Sequence, residues 1–255
     1  MTRLIVITSG KGGVGKTTLT SNLAAALTDF GQKVIVMDGN LTTPNLGLHL
    51  GLHLPKKTLH DVLRGDTRLK DAIYPYAYGF DVIPASLGLS DLKGVDPSRL
   101  PEITFSLLGK SDYVIIDSAA GLGREALSAL SSADETIIIT NPNLPAVTDA
   151  LKMIKLAQES NINVLGVVVN RVKGEKYEMT REQISDFLDV PVIAEIPEDN
   201  NIPESIAQKQ TVISYVPNSP ASIEIKKLAA NLSGRSYTPP KSRRFLDRLF
   251  GWFKE

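Results

Sequence analysis

Short runs of apolar residues alternate with amphipathic segments along most of the chain. Several of the apolar runs are hydrophobic throughout, which is typical of strands that are buried on both faces of a parallel sheet. The predicted strands cover residues 4–8, 33–38, 80–85, 113–118, 136–140, 163–170 and 190–197. The predicted helices lie between them, at residues 17–30, 58–73, 97–108, 122–132, 145–159, 180–189 and 220–232. This alternation predicts an α/β fold with a doubly wound, mostly parallel sheet flanked by helices.

The length and the distribution of Pro and Gly predict one domain followed by a tail. We place the domain at residues 1–232, a flexible linker at residues 233–242 and a separate C-terminal helix at residues 243–255. No apolar run is long enough for the core of a signal peptide or for a transmembrane helix. We therefore expect a cytoplasmic protein.

Composition narrows the possible chemistry. The formal net charge is +0, so no global field attracts nucleic acid. The chain has no cysteine, which excludes disulfides, zinc–thiolate sites and iron–sulfur clusters held by cysteine. Any binding chemistry must come from a local arrangement of other residues.

A glycine-rich loop follows the first predicted strand and precedes the first predicted helix. Its sequence, GKGGVGKTT, has the spacing of a phosphate-binding loop. Glycines allow successive backbone amides to turn toward phosphate oxygens, and the helix adds the positive end of its dipole. We expect Lys16 to reach the β- and γ-phosphates and Thr17 to bind Mg²⁺. The predicted nucleotide contacts of this loop are Gly10, Lys11, Gly12, Gly13, Val14, Gly15, Lys16, Thr17 and Thr18.

The loop resembles the deviant Walker A motif of the MinD/ParA class of ATPases, because it carries a second lysine, Lys11. In that class the early lysine crosses a dimer interface and touches the phosphates bound by the partner. The resemblance therefore implies ATP-dependent homodimerisation. A loop lysine that is only solvated is the alternative.

Further segments fit the same resemblance. Asp117 ends the predicted strand YVIID, and the resemblance implies that it holds Mg²⁺ through water. An aspartate that only caps the next turn is the alternative. Residues 117–123 resemble the second switch loop of the class, and residues 140–150 resemble its Asn-Pro turn beside the nucleotide.

The resemblance also implies a base pocket. Asn170 would bind the adenine edge, Arg171 follows it in the predicted nucleotide site, and Pro197 and Glu198 would line the pocket. Asn and Pro are also favoured at strand ends for structural reasons, so each position has a structural alternative.

The predicted first switch, DGNLTTPN, differs from the class at one position. Asp38 is expected to organise Mg²⁺ or the attacking water, and Asn40 stands where the class commonly carries a second aspartate. An amide has no charge and accepts no proton, so we expect impaired hydrolysis with retained nucleotide binding. Three interpretations stay open: an engineered change that traps the ATP-bound dimer, a natural slow ATPase, or a substitution that matters little because Asp38 suffices.

The predicted site residues fall into two sets besides the nucleotide contacts. The catalytic set is Lys11, Lys16, Asp38 and Asn40, and the metal set is Thr17, Asp38 and Asp117. His49 and His53 stand four residues apart but have no third ligand nearby, so we expect a surface or packing role for them.

The tail is strongly amphipathic when it is plotted as a helix. Its apolar face consists of Phe245, Leu246, Leu249, Phe250, Trp252 and Phe253. Nine residues span only ~14 Å, too short to cross a hydrocarbon core of ~30 Å. The five basic side chains after residue 240 outnumber the two acidic ones, which favours a helix that lies on an anionic membrane surface. Packing on its own domain or on a partner protein is the alternative. The tail also resembles the C-terminal membrane-targeting sequence of MinD.

Together these features favour a MinD-like ATPase within the class. In this hypothesis, ATP and Mg²⁺ join two subunits, and the paired tails bind the inner face of the cell membrane. The protein then positions cell-division or other machinery together with an unidentified regulatory or cargo protein. A flagellar-number regulator of the MinD superfamily, a ParA-type DNA-partitioning ATPase and a non-enzymatic, ATP-locked membrane scaffold are the alternatives. The neutral net charge and the lack of a basic run in the domain argue against a nucleic-acid partner.

Overall fold

A computed structural model describes residues 1–52 and 54–240. These residues form one sheet of eight strands. The strands are β1 (Arg3–Ser9), β2 (Val34–Gly39), β3 (Tyr74–Pro75), β4 (Asp81–Ile83), β5 (Tyr113–Ala120), β6 (Glu135–Thr140), β7 (Asn163–Val172) and β8 (Val192–Pro197). Their order across the sheet is β3-β4-β2-β5-β1-β6-β7-β8. All pairs are parallel except β3 with β4. The predicted mostly parallel α/β fold is confirmed.

Helices cover both faces of this sheet. In the described part of the chain they are α1 (Lys16–Asp29), α2 (Leu46–His49), α3 (Leu59–Arg64), α4 (Leu100–Phe105), α5 (Arg124–Leu130), α6 (Leu144–Glu159), α7 (Arg181–Leu188), α8 (Asn201–Ala207), α9 (Val212–Tyr215) and α10 (Pro220–Ser233). Among the helices described, none combines the length and the apolar character that crossing a membrane requires.

The strand β1 shows why the apolar runs are continuous. Ile5 and Ile7 point into the core under α1 and α10, whereas Leu4 and Val6 point into the core under α3, α4 and α5. Successive strand residues face opposite sides of a sheet, so a strand that is covered by helices on both sides needs apolar residues at every position.

Several predicted helices have different bounds in the structure. The segment predicted as helix 58–73 is interrupted, because α3 ends at Gly65, which adopts a φ of 83°. A 3-10 turn at Leu69–Ala72 follows it. The predicted helix start at Thr180 is confirmed, including the reciprocal capping bonds with Gln183. The short elements α2, α8, α9 and β3 were not predicted, because two to seven residues carry too little periodicity.

The predicted linker begins where α10 ends. Gly234 terminates that helix with a φ of 64°, and the residues from 235 to 240 have no regular secondary structure. Tyr237 packs edge-on against Phe30 at the end of α1, with ring centroids 6.1 Å apart. The predicted membrane helix at 243–255 lies outside the described residues.

Candidate functional site

The predicted phosphate loop, residues 10–18, lies at the carboxyl end of β1, between β5 and β6. Gly13 and Gly15 adopt positive φ values of 78° and 106°, which residues with a Cβ rarely adopt. Gly15 is also the N-cap of α1, and no side chain caps that helix. The first amides of α1 are therefore available to an anion, as a phosphate-binding loop requires.

Lys16 is buried at the start of α1. Only 9% of the residue is exposed, and its Nζ donates a hydrogen bond to Ser9 Oγ at 3.1 Å. Burial lowers the pKa of this lysine, while the charge of Asp117 opposes that shift. The structure thus holds a cation under the loop, next to the amides that would surround phosphate oxygens.

The residues predicted to bind magnesium meet beside that cation. Thr17 Oγ1 donates to Asp117 Oδ2 at 2.6 Å. Burial raises the pKa of Asp117 to about 6, and the hydrogen bond from Thr17 and the charge of Lys16 act in the opposite direction. A hydroxyl and a carboxylate are oxygen ligands of the kind that Mg²⁺ prefers, so these residues fit the predicted metal.

Asp38 is the first residue of the first switch segment, residues 38–46, and is fully buried. Its Oδ1 accepts a hydrogen bond from the Asn40 amide at 3.2 Å, and its Oδ2 accepts one from the Leu46 amide at 3.1 Å. Asp38 pairs with Asp117 across β2 and β5, and burial together with that neighbouring charge raises the pKa of Asp38. The carboxylate therefore holds both ends of the segment.

Asn40 faces the site and bonds within its own loop. Its Nδ2 donates to the Thr43 carbonyl at 2.6 Å, and its Oδ1 accepts from the amide and the hydroxyl of Thr43, at 3.3 and 3.1 Å. An aspartate can accept the last two bonds but cannot make the first. The amide thus stabilises this loop in a way that an aspartate at this position would not.

Two adjoining cavities form a continuous groove, which we call the nucleotide groove. The first has a volume of about 420 Å³ and is lined by Lys16, Thr17, Asn40 and Thr43, among others. The second, of about 180 Å³, is lined by Asn170, Arg171, Pro197 and Glu198 with apolar residues of α8. The residues shared by both cavities are Gly15, Thr18, Arg171 and Ile206. The structure therefore brings the predicted phosphate and base residues together.

The base end of the groove is tied to the phosphate loop by Asn170. Its Nδ2 donates to the Val14 carbonyl at 2.7 Å, and a Cβ on Gly15 would collide with the same Nδ2. Arg171, which follows, adopts a φ of 60°, an uncommon value for a residue other than glycine. Asn170 lines the groove and braces the loop, and its contact with adenine stays a prediction.

Lys11 does not line the groove. Its residue is exposed, and its side chain makes no hydrogen bond or ion pair with the described residues. Lys11 and Lys16 therefore have contrasting environments, although both belong to one loop.

Several residues of the groove were not predicted from the sequence. His49 on α2 lines the first cavity, and its Nδ1 is buried with no hydrogen-bond partner in the part of the chain that is described. Burial lowers the pKa of His49. Ile202 and Ile206 of α8 line the base end, and their i, i+4 spacing after the IPED segment is the signal that identifies them. His53 lies outside the described residues.

A larger cavity, of about 730 Å³, lies between the edge strand β8 and α10. Of the predicted site residues only Pro197 lines it, and its walls carry charges of both signs from α7, β8 and α10. The predicted chemistry therefore belongs to the smaller groove at the phosphate loop.

Comparisons with known proteins agree with this site. Residues 5–212 match the profile of the CobQ/CobB/MinD/ParA nucleotide binding domain. The chain is 39% identical over 254 residues to an uncharacterized ATP-binding protein of Methanocaldococcus jannaschii, covering 97% of this chain and 96% of that protein. It is 30% identical over 263 residues to the antiactivator FleN of Pseudomonas aeruginosa, covering 97% and 93%. The structure of the septum site-determining protein MinD of Pyrococcus horikoshii in complex with Mg-ADP matches with a TM-score of 0.88 and 40% identity, covering 91% of this chain and 96% of that one.

Proposed function

Because the chain belongs to the CobQ/CobB/MinD/ParA family of nucleotide-binding proteins, we propose that it is a MinD-like ATPase with a nucleotide-controlled dimer and membrane contact. Its nucleotide is ATP and its metal is Mg²⁺. The observation that carries the proposal is the cluster at the start of α1. There the buried Lys16 and Thr17 line the groove at an uncapped helix end, and Thr17 donates to the buried Asp117 with an O–O distance of 2.6 Å.

Each of these residues has a separate task in binding. The uncapped amides of α1 and the Lys16 ammonium stabilise phosphate charge. The Thr17 hydroxyl and the Asp117 carboxylate are the groups that would hold Mg²⁺, and the cation would neutralise phosphate charge there. Asn170 fixes the position of the loop through its bond to the Val14 carbonyl. The apolar residues of α8 at the same end of the groove would contact the base.

We assign dimerisation to Lys11. The side chain is exposed and unpaired among the described residues, and it lies in the phosphate loop but outside the groove of its own subunit. A second subunit that faces this loop would bring Lys11 to phosphates bound by the partner. The ammonium would then add to the charge that Lys16 provides.

The first switch favours slow hydrolysis. Asp38 is fully buried and does not line the groove, and its two oxygens hold backbone amides, so this carboxylate is poorly placed to orient water there. Asn40 faces the groove but accepts no proton. These two observations favour the interpretation in which Asn40 matters over the one in which Asp38 suffices. ATP would then hold the dimer for longer than in relatives with aspartate at this position.

The membrane part of the proposal rests on the sequence of residues 243–255. One short amphipathic helix binds weakly, and two on one dimer gain affinity through effective concentration. We propose that the dimer sits on the inner face of the cell membrane and positions division machinery with a regulatory or cargo protein. The match to the antiactivator FleN favours a regulatory protein as a second candidate function, of which the flagellar-number regulator suggested by the sequence resemblance is one form.

Light scattering with Mg-ATP and with Mg-ADP tests the dimer. We expect dimers with ATP and monomers with ADP for the full chain, and monomers with both nucleotides for Lys11→Ala. The exposed Lys110, at a distance from the loop in sequence, provides the matched control Lys110→Ala. Dimers of Lys11→Ala with ATP would rule out the assigned role.

Co-sedimentation with phosphatidylglycerol vesicles tests the membrane contact. We expect the full chain to pellet with ATP and to stay in solution with ADP. A chain truncated after Pro240 should stay in solution with either nucleotide. Pelleting that ignores the nucleotide would refute the switch, and pelleting of the truncated chain would refute the role of the tail.

A further inference from the structure

One carboxylate outside the groove joins the two predicted switch segments. Glu125 lies in the first turn of α5, directly after the second switch segment, residues 117–123. Its Oε2 accepts the amides of Leu41 and Thr42, at 3.1 and 3.2 Å, and its Oε1 accepts the Thr42 hydroxyl. Both carboxylate oxygens are thus used on the first switch segment, 84 residues away in sequence from Leu41.

The opposite side of the same peptide is also held. Leu41 is 1% exposed, and its carbonyl lies 3.1 Å from His60 Nε2. The other ring nitrogen of His60 accepts the Ser86 amide at 3.0 Å, so Nε2 carries the proton and donates to Leu41. Glu125 on one side and His60 on the other therefore fix the orientation of this peptide.

The peptide between Leu41 and Thr42, held on both sides, lies in the middle of the first switch segment. Asn40 and Thr43, on either side of it, line the nucleotide groove, whereas Thr42 and Glu125 do not. Any influence on the reaction must pass through the position of Asn40 and Thr43.

We propose that Glu125 is a positioning residue that makes the two switch segments move as one unit when nucleotide binds. The expected effect on hydrolysis rests on the proposed function, whereas the hydrogen bonds of Glu125 are independent of it. Three hydrogen bonds to the Glu125 carboxylate connect α5 to Leu41 and Thr42 of the first switch segment. The second switch segment leads directly into α5 and is therefore connected as well. A contact of the γ-phosphate with either segment would then be transmitted to the other.

Two substitutions separate the hydrogen bonds from the charge. Glu125→Ala removes all three acceptor contacts. Glu125→Gln retains them in a weaker form, because its Oε1 can accept the two amides while its Nε2 donates to the Thr42 hydroxyl. Glu102→Ala is the control, since Glu102 is an exposed acid whose closest basic group, Arg99, lies 3.7 Å away.

Hydrogen exchange without nucleotide is the first measurement. We expect Glu125→Ala to lower the protection of residues 39–46 by roughly tenfold, and Glu125→Gln and Glu102→Ala to stay within about threefold of the original chain. Thermal unfolding of each variant separates local from global opening. Unchanged protection in Glu125→Ala would overturn the proposal, and this arm needs no activity.

Hydrogen exchange with Mg²⁺ and a non-hydrolysable ATP analogue is the second measurement. In the original chain we expect both switch segments to gain protection together. In Glu125→Ala the affinity should change by less than about threefold, because the phosphate loop is intact, and only one segment should respond. Single-turnover hydrolysis should fall about tenfold and recover in Glu125→Gln. A joint response in Glu125→Ala would overturn the proposal, whereas lack of binding by the original chain would overturn the proposed function alone.

Discussion

Asn40→Asp is the change that tests the interpretation of the first switch most directly. The substitution adds a carboxylate to the groove and keeps the shape of the side chain. The bonds from the amide and the hydroxyl of Thr43 can persist, because both groups donate to the same side-chain oxygen, which an aspartate also has. The bond from Nδ2 to the Thr43 carbonyl is lost, and a carboxylate oxygen takes its place against that carbonyl.

The two effects differ in magnitude. Loss of one hydrogen bond costs about 1 kcal/mol, which lowers the population of the loop conformation about fivefold. A positioned proton acceptor contributes about 10²- to 10⁴-fold to a reaction that must activate water. The gain exceeds the loss, so we expect hydrolysis to become at least about tenfold faster. ATP affinity should change by less than about threefold, because it depends on Lys16, Thr17 and the loop amides.

Single-turnover hydrolysis of labelled ATP, with enzyme in excess, measures this rate without a contribution from product release. Thr43→Val is the matched control, because it deletes one of the same loop bonds and adds no carboxylate. Its rate should stay at or below that of the original chain. If Asn40→Asp hydrolysed ATP at the original rate with the same affinity, the carboxylate at this position would be irrelevant. The interpretation in which Asp38 suffices would then stand.

Three further predictions concern the loop, the metal pair and the buried histidine. Gly15→Ala should abolish nucleotide binding in calorimetry, because Gly15 has a φ of 106° and a Cβ there would meet an amide group, whereas Gly13→Ala meets no atom within 4 Å and should only weaken binding. Mg²⁺-dependent ADP binding should weaken as the pH falls from about 7.5 to about 5, because the pKa of Asp117 is raised to about 6 and only its ionised form attracts the cation. Asp117→Asn should remove that part of the pH dependence. His60→Phe should lower the free energy of unfolding in urea by about 2–4 kcal/mol, because the buried Leu41 carbonyl and the part-buried Ser86 amide lose their partner, whereas His49→Phe should cost less than about 1 kcal/mol.

The parts of the site that the sequence predicts are those with local causes. The phosphate loop is specified by glycines within a few residues of the lysine and threonine they present. The strand that precedes it is recognisable in the sequence as a continuous apolar run, because helices cover both of its faces. The meeting of Thr17 and Asp117 is predictable as well, although they are 100 residues apart. Parallel strands end at one edge of the sheet, and both residues stand next to such an end.

The first switch segment could not be predicted in the same way, because its conformation is determined by residues on other elements. Nothing in the sequence near Leu41 indicates that a glutamate in α5 accepts its amide or that a histidine in α3 holds its carbonyl. Both partners occupy ordinary positions on short helices, and polar side chains there are usually solvated. They become specific only when the sheet order brings β2 beside β5.

Phosphate binding and the position of Asn40 depend on different parts of the fold. The residues that bind phosphate are fixed by the loop itself, so binding should tolerate changes elsewhere in the domain. The segment that carries Asn40 depends on Asp38, His60 and Glu125, which belong to three different elements. Hydrolysis, unlike binding, is therefore exposed to substitutions far from the nucleotide. A chain of this kind can lose turnover and keep nucleotide binding through changes at any of these anchors, and we expect Asn40 to act on turnover in the same way.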